Sequence, residues 1–153
     1  MTERFDGQVP SDRSALLSLP GVGTYTAAAI GSFAFGHREI VLDTNVRRVL
    51  ARLVTGDAYP AAAPSREEIA IADDLAPQNP RRAARWAVAS MELGALVCTA
   101  RNPNCADCPV ADCCTWRRAG YPAWNGPPRR GQSYDGTDRQ CRGALSDCTR
   151  RRR

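Results

Sequence analysis

Leu19-Pro-Gly-Val-Gly-Thr-Tyr-Thr-Ala-Ala-Ala-Ile30 decides how this chain is read. Pro20, Gly21 and Gly23 make a tight turn in which glycine tolerates positive φ. The run from about Thr24 to Phe35, rich in alanine and closed by Gly36, is a helix. Ser11 or Asp12 can cap a shorter helix ending near Leu19, so the segment reads as helix, glycine hairpin, helix. Backbone N–H groups converging at the second helix's start can hold a phosphate without side-chain charge, and Gly21 and Gly23 permit the close approach. The plain alternative is an ordinary turn between helices, which Pro-Gly-x-Gly alone would favour; Leu16, Leu19 and the string after Thr26 weigh against it.

Downstream, Val41-Leu42 leads into Asp43-Thr-Asn45, and Asp43 is placed to cap a helix running to about Val54. A Pro/Ala-rich connection, Ala58 to Pro64, precedes a helix begun by Ser65 with Glu68 three residues on, the pattern of a capping box. Asn79-Pro80 opens the next helix, with Asn as cap and Pro in the first turn. In it Ala83, Trp86, Ala87, Ser90, Met91, Gly94, Ala95 and Cys98 recur at helical spacing, which predicts one buried face. No stretch of comparable length alternates with period two. The fold class is all-α.

That last helix runs into Cys98-x6-Cys105-x2-Cys108-x5-Cys114. Thiolates this close can hold an iron–sulfur cluster or a zinc ion. Four-cysteine zinc sites usually use two Cys-x2-Cys knuckles, and this loop has one. Cys113 offers an alternative fourth ligand, whereas Cys141 and Cys148 lie in irregular sequence and read as free thiols.

At 153 residues and 43% apolar content the chain is about one domain long, and no run approaches the roughly 20 apolar residues that span a bilayer. Met1 to Gly23 lacks the order of a signal peptide, so the expectation is a cytoplasmic protein with reduced cysteines. All 21 basic residues are arginine, which excludes a lysine Schiff base. Residues 1–116 hold 11 Arg against 13 acids, and residues 117–153 hold 10 Arg against 3 acids. The basic excess in the tail suits a polyanionic neighbour or a solvated arm.

Three segments together resemble the helix-hairpin-helix superfamily of DNA glycosylases, over roughly residues 13–131, and most closely its A/G-mismatch adenine DNA glycosylase family. Leu19 to Ile30 is similar to that family's hairpin, Val41-Leu-Asp-Thr-Asn-Val-Arg-Arg-Val-Leu-Ala-Arg52 to its catalytic-aspartate segment, and Met91-Glu-Leu-Gly-Ala-Leu-Val-Cys98 to the lead into its [4Fe–4S] loop. The resemblance implies a catalytic Asp43, whose carboxylate stabilises a cationic sugar, although Asp43 also reads as a structural cap. It implies DNA contacts from Leu19, Gly21, Val22, Gly23, Tyr25 and Arg101, and a [4Fe–4S] cluster on Cys98, Cys105, Cys108 and Cys114. Bifunctional relatives carry a lysine where Tyr25 stands; this chain resembles the monofunctional branch, which removes a base without cutting the strand.

The implied partner is double-stranded DNA containing a mismatch, bound by a nucleoid-associated monomer. A thymine or uracil glycosylase of the same superfamily and a non-catalytic DNA-binding remnant are the alternatives. Family members begin with a further helical segment that completes the barrel and supplies a glutamate acid, and they end with a domain that recognises 8-oxoguanine. Neither is matched here, so the expectation is a truncated member without its proton donor and with apolar faces of residues 24–54 exposed. The expected organisation is a partial barrel over 1–79, a helix and cluster loop over 80–118, and a basic, disordered tail over 119–153. His37 is expected in an exposed turn, Trp86 and Trp116 in cores, and Arg117 and Arg118 in solvent.

Overall fold

The computed structural model describes residues 5–127. Its described residues are helical and without strands, and no helix among them is long and apolar enough to cross a membrane. Helix α1 is Arg13–Leu17, capped by Asp12, whose carboxylate accepts from the Ala15 N–H at 2.8 Å. Leu19 to Val22 then form a tight turn, with Val22 N–H donating to the Leu19 carbonyl at 3.1 Å and Gly21 at φ 79°. Proline at the second position and a left-handed glycine at the third are what a type II turn requires.

Helix α2 is Thr24–Phe33, two residues shorter than predicted, and Gly36 at φ 68° turns the chain after it. Its Ala27 and Ala28 face opposite partners: Ala27 joins Leu16 and Leu19 of the α1 side, and Ala28 joins Val41 and Ala87. Small side chains on both faces let α2 sit between two layers.

Helix α3, Thr44–Leu50, is capped by Asp43 as predicted and continues as a wide π-turn over Ala51–Thr55, ended by Gly56 at φ 83°. Helix α4 is Arg66–Leu75, capped by Ser65, whose Oγ accepts the Glu68 N–H at 3.0 Å. The predicted capping box is only half formed. Glu68 is taken instead by Arg47 of α3, whose Nε and Nη2 donate to its two carboxylate oxygens at 2.6 and 2.9 Å. A two-pronged, charge-assisted pair outweighs a single bond to an exposed backbone N–H.

Helix α5, Pro80–Glu92, is capped by Asn79, and Leu93–Val97 continue it as a π-turn whose last bond runs from Cys98 N–H to the Leu93 carbonyl at 2.7 Å. Ala83, Ala87 and Gly94 are buried as predicted, but Ala95 is exposed. The π-turn adds a residue to the last turn, so the 3.6-residue period that placed Ala95 inward no longer holds there. Trp86 packs with Met91 against Val46, Leu50 and Ala72, in the core. The exposure expected over residues 24–54 falls on Tyr25, Phe33, Phe35 and Val54, while Ala27, Ala28, Val41, Val46, Val49 and Leu50 are buried within the chain.

A short 3-10 turn at Ala111–Cys113 leads into α6, Thr115–Arg118. Past Arg118 the described residues make two edge-on ring contacts, Tyr121 against Trp116 and Trp124 against Tyr59. Residues 128–153 of the expected tail, with Cys141 and Cys148, lie outside the described residues.

Candidate functional site

Asp43 sits half-buried at the start of α3 because its extended backbone leaves the helix's first N–H groups open. Its Oδ1 accepts from Val46 N–H at 2.7 Å and its Oδ2 from Asn45 Nδ2 at 3.0 Å. Two donors on two oxygens hold the carboxylate in one orientation. Asn45 is itself held, since its Oδ1 accepts from Arg48 Nη2 at 2.8 Å. Arg48 reaches on to the carbonyls of Gly94, at 2.6 Å, and Cys98, at 2.8 Å. A continuous hydrogen-bonded line therefore joins Asp43 to the first residue of the cysteine loop.

The hairpin presents a different surface. Leu19 is buried and Val22 half-buried, anchoring the turn, while Gly21, Gly23 and Tyr25 are exposed. Gly23 is the N-cap of α2 with ordinary extended backbone, φ −91° and ψ −179°, and makes no side-chain cap. Of the two glycines, only Gly21 needs its conformational freedom. A Cβ on Gly23 would meet nothing within 4 Å, so packing within the described residues does not require glycine there.

Tyr25 lines a hollow with Leu42, Ile40, Ile69, Thr24, Pro64, Arg13 and Glu39. Asp43, one residue beyond Leu42, is not among its walls. Glu39 is engaged there in an ion pair with Arg13. His37 lies in an exposed turn against Phe35.

Cys98, Cys105, Cys108 and Cys114 line one cavity, together with Arg52, Val97, Trp116 and Arg117. Cys113 is exposed and outside it. No three His, Cys, Asp or Glu side chains among the described residues stand in a metal-coordinating arrangement, so the four thiols share a chamber without a ready-made cage. Burial pushes the Cys108 thiol up, with smaller upward contributions from Cys98, Cys105 and Cys114. A soft donor set of four half-buried cysteines around one cavity is of the kind that holds an iron–sulfur cluster. Arg117 borders the cavity and makes a solvent-exposed pair with Asp112 at 3.1 Å, Arg118 is exposed as expected, and Trp116 stacks on a cation rather than filling a core. Arg101 is exposed on the loop.

Asn45, Arg48 and Arg52 carry no individual role in the sequence reading, and Gly94 only a place on the buried helix face. Arg48 and Arg52 lie four apart and so share a helix face, roughly opposite Val46 and Leu50, and only the packing of the cysteine loop and the Leu93–Val97 turn against that face buries them.

The helix-hairpin-helix motif family matches residues 4–33. Adenine DNA glycosylase of Mycobacterium tuberculosis is 57% identical over 145 residues, covering 93% of this chain and 46% of that protein. A thermostable thymine-DNA glycosylase superposes with a TM-score of 0.65 at 31% identity, over 76% of this chain and 53% of its own. Endonuclease III in a non-covalent DNA complex superposes at 0.64 and 30% identity, over 77% and 53%. The chain spans about half the length of the curated relatives it matches. With hairpin, capped aspartate and cysteine loop in one helical body, the chain has the fold of the helix-hairpin-helix DNA glycosylases and is similar over most of its own length to adenine DNA glycosylases.

Proposed function

We propose that this chain grips duplex DNA through the hairpin and hydrolyses, or carries the part of the machinery that hydrolyses, the N-glycosidic bond of adenine mispaired with guanine or 8-oxoguanine. The observation that carries the reading is the Asp43 carboxylate, held at both oxygens. A fixed anion needs little reorganisation as the sugar becomes cationic, and this preorganisation lowers the barrier. Gly23 and the bare N-terminus of α2 supply donors for a backbone phosphate, with Tyr25 beside them and Arg101 adding a cation from the loop.

Cys98, Cys105, Cys108 and Cys114 would hold a [4Fe–4S] cluster, which supplies a rigid cross-link for the loop when bound; base hydrolysis transfers no electrons. These 153 residues hold no lysine, so they offer no lysine Schiff-base route to strand cleavage. Glu39 is engaged by Arg13 and is not assigned as the proton donor to the departing base. The 57% identity to an adenine DNA glycosylase favours adenine over thymine or uracil.

The test is base release from 8-oxoguanine:adenine, guanine:adenine and guanine:thymine duplexes, by the chain alone and joined to the amino-terminal segment of a relative. Adenine release by the fusion, dependent on Asp43 and without cleavage before alkali, is the expected outcome. Release of thymine but not adenine would reassign the substrate, and binding without release by either protein would leave a non-catalytic DNA-binding module.

A further inference from the structure

We propose that Arg52 is the counter-cation of the cysteine site, governing how firmly and at what potential that site holds an iron–sulfur cluster; the proposal rests on the cluster reading above. Arg52 is 3% exposed, the least accessible charged side chain of the described residues. Its Nε donates to the Ala58 carbonyl at 3.0 Å, its Nη1 to the Thr99 carbonyl at 2.8 Å and to Cys98 Sγ at 3.3 Å, and its Nη2 to the Ala100 carbonyl at 3.2 Å. The guanidinium carbon lies 4.5 Å from the Trp116 ring centroid and 5.6 Å from that of Tyr59. Arg52 also lines the cavity shared by Cys98, Cys105, Cys108 and Cys114.

Those carbonyls give each guanidinium nitrogen a hydrogen-bond partner but do not neutralise its charge, and an uncompensated buried charge is costly. Metal-binding cysteines must be deprotonated, so the occupied site is negative. A buried cation without a carboxylate on one wall, and thiolates on the other, compensate each other. The rings of Trp116 and Tyr59 keep water from screening the pair and are themselves attracted to the cation. Positive charge and an N–H···S bond both stabilise the more negative, reduced cluster, so Arg52 raises the reduction potential. Its fork also binds three consecutive residues, Cys98, Thr99 and Ala100, where the loop leaves α5.

The experiment uses the full chain purified anaerobically, with iron content, cluster midpoint potential, the rate of iron loss to a chelator, and circular dichroism measured on parent, Arg52→Gln and Arg52→Lys. Arg52→Gln should shift the midpoint to more negative potential and lose iron about 10–100 times faster. Arg52→Lys should hold the midpoint near the parent's but still lose iron faster, because a compact ammonium lacks the planar fork that spans Cys98, Thr99 and Ala100. A folded Arg52→Gln protein with parental potential and iron-loss rate would overturn the proposal. Should Arg52→Gln fail to fold, Arg52→Lys decides through its rate of iron loss. In the parent, the Arg52 guanidinium protons should exchange slowly and show paramagnetic shifts; fast-exchanging, unshifted protons would also overturn it. A parent chain that holds zinc and no iron overturns the cluster reading itself, whereas an iron-bearing parent with unmoved variants overturns only the role of Arg52.

Discussion

Gly94 lies against Asn45 with no room for a side chain: a Cβ placed on Gly94 would stand 2.7 Å from Asn45 Cβ and 2.8 Å from the Asn45 carbonyl oxygen. This contact brings the end of α5 against the start of α3, within reach of the Asn45 amide that holds Asp43. Arg48 bridges the same two elements from the side, donating to Gly94 and Asn45 together.

Gly94→Ala should therefore act at a distance. The methyl group meets backbone rather than a flexible tip, so α3 and α5 must separate, at a cost of about 1–3 kcal/mol typical of overpacking. Thermal unfolding should show a lowered midpoint, and in a base-releasing fusion the rate should fall as the Asn45 amide shifts from Asp43. A Gly94→Ala protein with parental melting and rate would show that the contact relaxes without consequence.

Asp43→Asn separates the cap from the chemistry. Asparagine caps helices about as well as aspartate, so stability should change by less than about 0.5 kcal/mol while base release is lost with the negative charge. Asp43→Ala should lose both, with about 1 kcal/mol of stability removed. Chemical denaturation alongside single-turnover base release reads the two effects. Retained release in Asp43→Asn would remove the carboxylate from the mechanism.

The two hairpin glycines should respond differently. Gly21→Val places a β-branched residue at φ 79°, at about 1–2 kcal/mol or more. Gly23→Val meets open space, loses only a modest cap preference of about 0.5–1 kcal/mol, and should chiefly weaken DNA binding. Duplex affinity of the parent is expected in the non-specific range of about 10⁻⁴–10⁻⁶ M at physiological salt, falling as salt rises. Unchanged affinity of a folded Gly23→Val protein would reduce the hairpin to a turn.

Cys114→Ser should lose iron and Cys113→Ser should keep it, because only Cys114 lines the cavity with Cys98, Cys105 and Cys108. The parent should be brown, with broad absorbance near 400 nm and about four irons per chain. Iron loss confined to Cys113→Ser would show that the loop rearranges to use the x4 spacing.

Breaking the Arg47–Glu68 pair should be costly. The two side chains are 9% and 14% exposed, and removing one partner, as in Glu68→Ala, leaves a buried guanidinium with its bond to the Ala61 carbonyl but without its carboxylate. A loss of about 3–5 kcal/mol is expected in denaturant unfolding. A loss of under 1 kcal/mol would mean that water reaches Arg47 in the variant.

By itself the sequence determined the features that depend on neighbours three or four residues apart. Asp12, Asp43, Ser65 and Asn79 cap the helices at which they were read, and Pro20-Gly21 makes its turn, because a side chain three residues from an open N–H has few other places to bond. Tertiary structure decided whatever required competition between distant partners. Glu68 could have closed its own capping box but met Arg47, 21 positions away, and Arg48 and Arg52 turned inward to carbonyls 46 to 50 positions away. The π-turn at Leu93–Val97 moved Ala95 to the surface while Gly94 remained against Asn45. Local bonds follow from chain geometry alone, whereas the partners of a buried cation depend on which helices pack around it.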